Sequence, residues 1–228
     1  CNESDRATRS LPRFAASSAV NRHGWGIGWF EGNTAEVNRA PERADFSAQY
    51  EESTAMARSH TIVAHLRLST VGEPCECNCH PFKWNHRGRD WLLAHNGHVR
   101  DTSPHPLAEG DTDSERIFIQ IMKKVGEYQE GGRIRGQIPA LKKAIRHIFD
   151  TYDTDINLNL LISDGHHLYV FHHYPGKPIY MLERSKQYGG AVLVSTVPLS
   201  DEGWVPLAPD RLLVINRGEI QLYADPLI

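Results

Sequence analysis

Apolar residues recur with two different periods along this chain, and the switches between them divide it into three stretches. Gly24-Trp25-Gly26-Ile27-Gly28-Trp29-Phe30 alternates large apolar side chains with glycine and is bounded by charge, which predicts a strand. The glycines strip one face of that strand, so something is expected to pack closely against its backbone. Residues 46–58 suit a short helix through Phe46, Tyr50, Thr54 and Ala57. Thr61–Leu66 predicts a buried strand running into Arg67. Trp91–Ala94 predicts another, broken by the turn signal Asn96-Gly97.

The second stretch is helical. Over residues 113–126, Ile117, Phe118, Ile121, Met122 and Val125 fall on one face, and Thr112 with Glu115 makes a capping-box pattern before them. A second helix starts near Pro139, a residue suited to a first turn, with Leu141, Ile145, Ile148 and Phe149 as its stripe. From Ile156 the period returns to that of strands. Ile156–Ser163 and Leu168–His172 flank the hairpin signal Asp164-Gly165, and Ala191–Thr196 and Arg211–Asn216 follow, the last turning at Arg217-Gly218. Strands, then helices, then strands suit an α+β layered fold better than a parallel doubly wound sheet. No repeat, low-complexity block or linker splits residues 1–228, so a single domain is expected.

Composition narrows the function. The 228 residues carry 28 acidic and 25 basic side chains, a formal net charge of −3, with 40% hydrophobic and 23% charged residues. That is enough apolar material for a core and excludes a disordered tail protein. It lacks the basic excess of a nucleic-acid binder. No apolar run approaches the roughly 20 residues of a membrane helix, and the polar segment Cys1–Ser10 has no secretory apolar region. Four cysteines, three of them in Cys75-Glu76-Cys77-Asn78-Cys79, do not make a disulfide scaffold in a chain this long. The expectation is a cytoplasmic protein with free thiols and no membrane or nucleic-acid partner. The 13 histidines are scattered, which weakens a metal reading.

Four places carry candidate chemistry. A cysteine at a mature N-terminus has its thiol beside an α-amine of pKa about 7.7–8.0, which can serve as its base, so Cys1 is a candidate nucleophile. Arg67, at a strand end, can grip a carboxylate with two parallel hydrogen bonds, although a surface ion pair is the commoner use of an arginine. The Asn96 amide and the Gly97 N–H, side by side, make a donor pair suited to an oxyanion; as a bare pattern Asn-Gly is usually a turn. Asp113 opens the best helix, where a carboxylate also answers the helix dipole.

Taken in order, Cys1, Arg22-His23-Gly24-Trp25-Gly26-Ile27-Gly28, His65-Leu66-Arg67-Leu68-Ser69-Thr70-Val71-Gly72, Asn78-Cys79-His80-Pro81-Phe82, Ala94-His95-Asn96-Gly97 and Thr112-Asp113-Ser114-Glu115 resemble the class II glutamine amidotransferases, N-terminal-nucleophile hydrolases that release ammonia from glutamine. Leu161-Ile162-Ser163-Asp164-Gly165 and Ser195–Ser200 resemble the small stand-alone branch of that family. The resemblance implies a helix/sheet/sheet/helix sandwich with two antiparallel sheets. It implies that Cys1 attacks the side-chain amide, that Asn96 and Gly97 hold the oxyanion, and that Arg67 and Asp113 bind the α-carboxylate and α-ammonium. Thr70 and the backbone near Leu68 would line the glutamine pocket, and Arg22 would help order the N-terminus. No metal or organic cofactor is implied.

The resemblance leaves the ammonia acceptor open: a partner synthase subunit takes it, or the protein hydrolyses a γ-glutamyl amide, with a thiol-histidine metabolite as the runner-up substrate. A non-catalytic glutamine-binding subunit is the alternative outside enzymes. Two features depart from the family. Asn2–Arg6 is polar where an apolar strand usually follows the nucleophile, and the stretch from Cys1 to Gly24 is short. If Asn2–Phe14 instead matches a segment beyond the usual nucleophile, Cys1 is an unrelated thiol. The three clustered cysteines are the other departure, read as a cysteine-rich surface loop rather than a soft-metal site.

Overall fold

The computed structural model of the protein describes residues 7–69, 72–100, 102–130, 134–152, 156–184 and 190–228. The chain passes through α1 (Leu11–Ala15), β1 (Trp25–Glu31), β2 (Thr34–Ala40), α2 (Ala48–Met56), β3 (Ile62–Leu66), β4 (Phe82–His86) and β5 (Arg89–Val99). The helical hairpin follows as α3 (Asp113–Glu130) and α4 (Gln137–Thr151). Then come β6 (Ile156–Ser163), β7 (His167–His173), β8 (Tyr180–Arg184), β9 (Ala191–Ser195), β10 (Val205–Pro206), β11 (Leu212–Asn216) and β12 (Glu219–Tyr223).

Side-chain alternation along β1 sets the layers. Trp25, Ile27 and Trp29 point outward and pack on Leu11, Ala15 and Tyr50 of the α1/α2 layer, with Trp25 and Tyr50 edge to face at 5.2 Å. Gly26 and Gly28 point inward. A Cβ on Gly26 would lie 2.0 Å from the His80 carbonyl oxygen, and one on Gly28 2.6 Å from Leu92 Cδ1. The close approach expected from the glycine alternation is therefore present.

The inner layer is an antiparallel sheet of order β12-β11-β7-β6-β5-β4. One of its faces carries Trp91, Leu93, Leu160, Ile162 and Phe171 against the apolar stripes of α3 and α4. The other face meets Phe30 and Ala35 through Leu92, and Met181 and Leu207 through Val170 and Leu213. The order of layers is helix, sheet, sheet, helix, as expected. The outer strand layer, as far as the described residues form it, is not one sheet, however. Among the described residues it is divided into β2-β1-β3 and β10-β8-β9, and the edge strands β3 and β9, which border one cavity, do not pair with each other. The cavity, of about 520 Å³, is floored by Leu161, Leu168 and Ile215.

Local signals explain the element ends. Ser47 caps α2 by accepting from the Tyr50 N–H at 3.1 Å, which trims the expected helix to Ala48–Met56. Thr112 accepts from the Glu115 N–H at 3.3 Å, but the Glu115 carboxylate turns back to the Glu109 and Gly110 N–H groups at 2.9 and 2.8 Å. Only half of the capping box forms. The Asn96-Gly97 pair is not a turn: β5 runs unbroken to Val99, paired with β6 as far as Val99↔Ile156. Arg217 and Gly218 do turn the chain, both with positive φ, from β11 into β12. No helix among the described residues is long and apolar enough to cross a membrane.

Gly26→Ala should cost about 1–3 kcal/mol by overpacking, because the nearest obstacle is backbone that cannot swing away. Gly203→Ala, where a Cβ meets nothing within 4 Å, is the control and should be near neutral. Urea midpoints compare the two; equal midpoints would remove the close approach as a constraint.

Candidate active site

The site is built at the C-terminal end of β5. Alternation turns His95 to the α3 side, with Trp91 and Leu93, and Asn96 to the opposite side, with Leu92 and Ala94. His95 is buried, its Nδ1 2.9 Å from Ser114 Oγ and its Nε2 3.0 Å from the Asn157 carbonyl. A carbonyl only accepts, so the neutral ring carries its proton on Nε2 and takes the Ser114 hydroxyl at Nδ1. Burial lowers its pKa, with Asp113 opposing the shift. Gly97 has φ +153°, and a Cβ there would lie 1.9 Å from the Asn157 oxygen, so only glycine lets β5 pass β6 at this point. Two residues on, the Val99 N–H donates to Asp113 Oδ2 at 2.8 Å. That bond fixes the first residue of α3 beside the strand end that carries Asn96 and Gly97.

Arg67 follows β3 and is 3% exposed. Its backbone is pinned on both sides: its N–H donates to the Gly24 carbonyl at 2.7 Å, and its carbonyl accepts from the His23 N–H at 2.8 Å. Its guanidinium donates from Nη2 to Ser69 Oγ and to the Gly72 carbonyl, both at 3.0 Å, and from Nη1 to the Glu73 carbonyl at 3.5 Å. Burial lowers its pKa. The Glu73 carbonyl also accepts from Asn78 Nδ2 at 3.0 Å, and Asn78 Oδ1 accepts from the Asp111 N–H at 2.9 Å. An unbroken series of contacts thus joins Arg67 to the segment just before Asp113.

Behind Arg67 lie two more imidazoles. His65 and His80 face each other with their Nδ1 atoms 3.2 Å apart, and His80 Nε2 is buried without a hydrogen-bond partner among the described residues. Burial pushes the His65 pKa down to about 3 and holds His80 well below the usual range, so both are neutral. Across from Asn96 in the ladder stands Asn159, fixed by His172 Nδ1 and the Lys177 carbonyl, each at 2.7 Å.

The structure therefore gathers Asn96, Gly97 and Asp113 at one strand end and ties Arg67 to the same corner through a loop. Leu68, 44% exposed, sits beside Arg67, and Arg22 is exposed just before β1. Cys1 and Thr70 lie outside the described residues. The 520 Å³ cavity does not include this corner; it lies toward the start of β3 and is bordered by Ser59, Thr61 and Ser195. The motifs read from the sequence contain His95, Ser114 and Asn78 but give them no role, and they omit Asn157; the partners of all four are distant in the chain and follow no spacing rule.

One expectation is overturned. Cys75 and Cys77 are joined in a disulfide and only Cys79, buried, is free among the described cysteines. The reading of the cluster as free thiols fails because the turn over Glu76–Asn78 folds the two side chains together, with their Cα atoms 5.3 Å apart.

The family model for Glutamine amidotransferases class-II matches residues 6–191. The gamma-glutamyl-hercynylcysteine sulfoxide hydrolase of Mycobacterium tuberculosis is 32% identical over 212 residues, covering 92% of this chain and 81% of that protein. An uncharacterized protein of Methanocaldococcus jannaschii is 25% identical over 92% of this chain, which spans only 66% of its length. Among solved structures, one described as a predicted glutamine amidotransferase from Pseudomonas aeruginosa PA01 superposes with TM-score 0.67 and 26% identity, over 88% of this chain and 87% of that one. The glutamine phosphoribosylpyrophosphate amidotransferase of B. subtilis shares the fold, with TM-score 0.66 and 15% identity over 96% of this chain and 47% of its own.

The buried imidazoles make stability pH-dependent with a definite sign. His65 and His80 are neutral when folded but take a proton when unfolded below about pH 6.5. Their contribution is complete above that value and is lost as pH falls toward the folded pKa, about 3 for His65. Between pH 7.5 and 5.0 the unfolding free energy should drop by on the order of 2 kcal/mol for His65, with His80 adding a loss of the same sign. Urea titrations across this window check it; a flat profile would mean that the rings titrate in the fold as they do in the unfolded chain.

Proposed function

Because the chain belongs to the class II glutamine amidotransferases and has the N-terminal-nucleophile hydrolase sandwich, we propose that it cleaves the side-chain amide of glutamine through a thioester on Cys1, with residues 1–228 acting as one catalytic domain. The Cys1 sulfur bonds to the amide carbon while the α-amine takes the thiol proton. The C–N bond then breaks, the leaving nitrogen receives that proton, and water hydrolyses the thioester to glutamate. The Asn96 carboxamide and the Gly97 N–H stabilise the oxyanion. Arg67 takes the α-carboxylate as a bidentate pair and Asp113 the α-ammonium. The Leu68 backbone and Thr70 line the pocket, and Arg22 orders the N-terminus. The observation that carries this reading is the 2.8 Å bond from the Val99 N–H to Asp113, which holds a carboxylate beside the Asn96-Gly97 donors. The same reading makes the protein cytoplasmic and gives the released ammonia to a partner synthase subunit.

A second reading, hydrolysis of a γ-glutamyl amide of a small metabolite, is favoured by the 32% identity to the Mycobacterium tuberculosis hydrolase over 92% of this chain. Both readings use the same γ-glutamyl head and differ in the leaving amine. Ammonia release from glutamine, set against amine release from γ-glutamyl amides, separates them. Activity on neither would leave a non-catalytic glutamine-binding subunit.

Two substitutions test the assignments. Asn96→Ala should lower kcat by about 10²–10³ with a modest change in KM, since the donor matters most as charge develops. Arg67→Lys should raise KM roughly 10–150-fold, because an ammonium cannot copy the fork. An unchanged KM would remove Arg67 from substrate binding.

The nucleophile is tested by a glutamine-shaped diazo-ketone. It should alkylate Cys1 on the tryptic peptide Cys1–Arg6, glutamine should protect, and Cys1→Ala should abolish labelling and turnover. Intact mass is measured on the same sample. Residues found ahead of Cys1, or labelling elsewhere, would move the nucleophile.

A further inference from the structure

The loop that touches Arg67 contains the disulfide. We infer that Cys75–Cys77 is a reversible redox site: its disulfide form keeps Arg67 occupied by the loop, and its reduction by a dithiol frees the guanidinium for a carboxylate. This rests on the reading of Arg67 as the carboxylate-binding residue.

A bidentate carboxylate needs Nη2 together with either Nη1 or Nε. Both N–H groups of Nη2 are already engaged, by Ser69 Oγ and by the Gly72 carbonyl. The Ser69 hydroxyl itself donates to the Gly72 carbonyl at 2.8 Å, so both acceptors depend on where Gly72 sits. A carboxylate can take the fork only after Gly72 moves.

Among the described residues, Gly72 packs against the turn that the disulfide closes. Asn78 packs on it, with Nδ2 only 2.7 Å from where a Gly72 Cβ would be, and also fixes the Glu73 carbonyl at 3.0 Å. Asn78 is in turn set by Cys75, whose carbonyl accepts from the Asn78 N–H at 3.2 Å and from Cys79 Sγ at 3.4 Å. Opening the Cys75–Cys77 bond loosens the Cys75 carbonyl, then Asn78, then Gly72.

The bond is also placed to react. Cys75 and Cys77 are half-buried, and the Glu76 side chain between them is 68% exposed. A ring with one intervening residue removes little chain entropy, so the bond is a poor staple. Cys79 is buried, and burial raises its pKa, which makes it a weak competitor. In the exchange a thiolate of the dithiol attacks one sulfur and forms a mixed disulfide. Its second thiol then closes on the first. Cys75 and Cys77 gain two electrons and two protons, and the dithiol becomes a disulfide.

The test compares the whole protein oxidised and after dithiothreitol, with Cys75→Ser beside it. Under native conditions, reduction should add two alkylatable thiols on the 75–79 segment. It should lower the KM for glutamine or a γ-glutamyl amide by about tenfold, the worth of one charge-assisted contact, with kcat little changed. Cys75→Ser should show the low KM in both conditions. A readout free of turnover is the rate at which phenylglyoxal modifies Arg67, which should rise on reduction and be high in Cys75→Ser. Equal Arg67 modification in all forms, or no added thiols under dithiothreitol, overturns the proposal whether or not the protein is active. Faster Arg67 modification without hydrolysis of any γ-glutamyl amide sustains the redox site and overturns the catalytic reading instead.

Discussion

The bare inner face of β1 sets the distance between the two strand layers, and the rest of the structure depends on that distance. With no side chain at Gly26 or Gly28, the His80 carbonyl and Leu92 come up against the β1 backbone itself. β3, paired to β1 from Ile62↔Trp29 to Leu66↔Trp25, is carried to the same depth. Its end therefore reaches the corner where β5 presents Asn96 and Gly97. A larger residue at either glycine would lift β3 and Arg67 away from that corner together.

Electrostatics at the corner follow from burial rather than from a surplus of charge. Arg67 is almost wholly enclosed, yet the groups around it are backbone carbonyls, a serine hydroxyl and neutral imidazoles. Carbonyl dipoles compensate a buried guanidinium without neutralising it, which suits the proposed role of Arg67 as the carboxylate-binding residue. Asp113 is arranged in the complementary sense. It lies in the first turn of α3, where the helix favours a carboxylate, and the Val99 N–H stabilises the same charge. The opposite charges sit on separate elements, Arg67 just after β3 and Asp113 at the start of α3 beside the end of β5, and do not pair with each other in the described contacts.

Much of the fold was legible because periodic burial leaves a periodic sequence. The stripe Ile117, Phe118, Ile121, Met122, Val125 and the glycine alternation of β1 each report one face of one element. Asn96-Gly97 was misleading for a physical reason: its local preference for a turn is overridden by eight paired positions between β5 and β6. β4, β8 and β12 escaped notice because their half-exposed faces mix polar and apolar residues. At the site, Arg67, Asn96, Gly97 and Asp113 were legible only as members of an ordered set of motifs. Their supports were not: Asp113 with Val99, Asn78 with Asp111 and His95 with Asn157 join segments 14, 33 and 62 residues apart.

Asn78 shows why those invisible supports matter. It is fully buried and makes one bond on each side, to the Glu73 carbonyl beside Arg67 and to the Asp111 N–H beside Asp113. A single carboxamide therefore sets the separation of the two charged groups proposed to hold the ends of one amino-acid head. That separation is what a γ-glutamyl compound must match, whichever amine it carries. On the reading of Arg67 and Asp113 as the pair that holds the head, specificity for the leaving group resides elsewhere, on surfaces that do not run through Asn78. Amidotransferase and hydrolase readings can thus share one head-binding corner and still differ in what leaves.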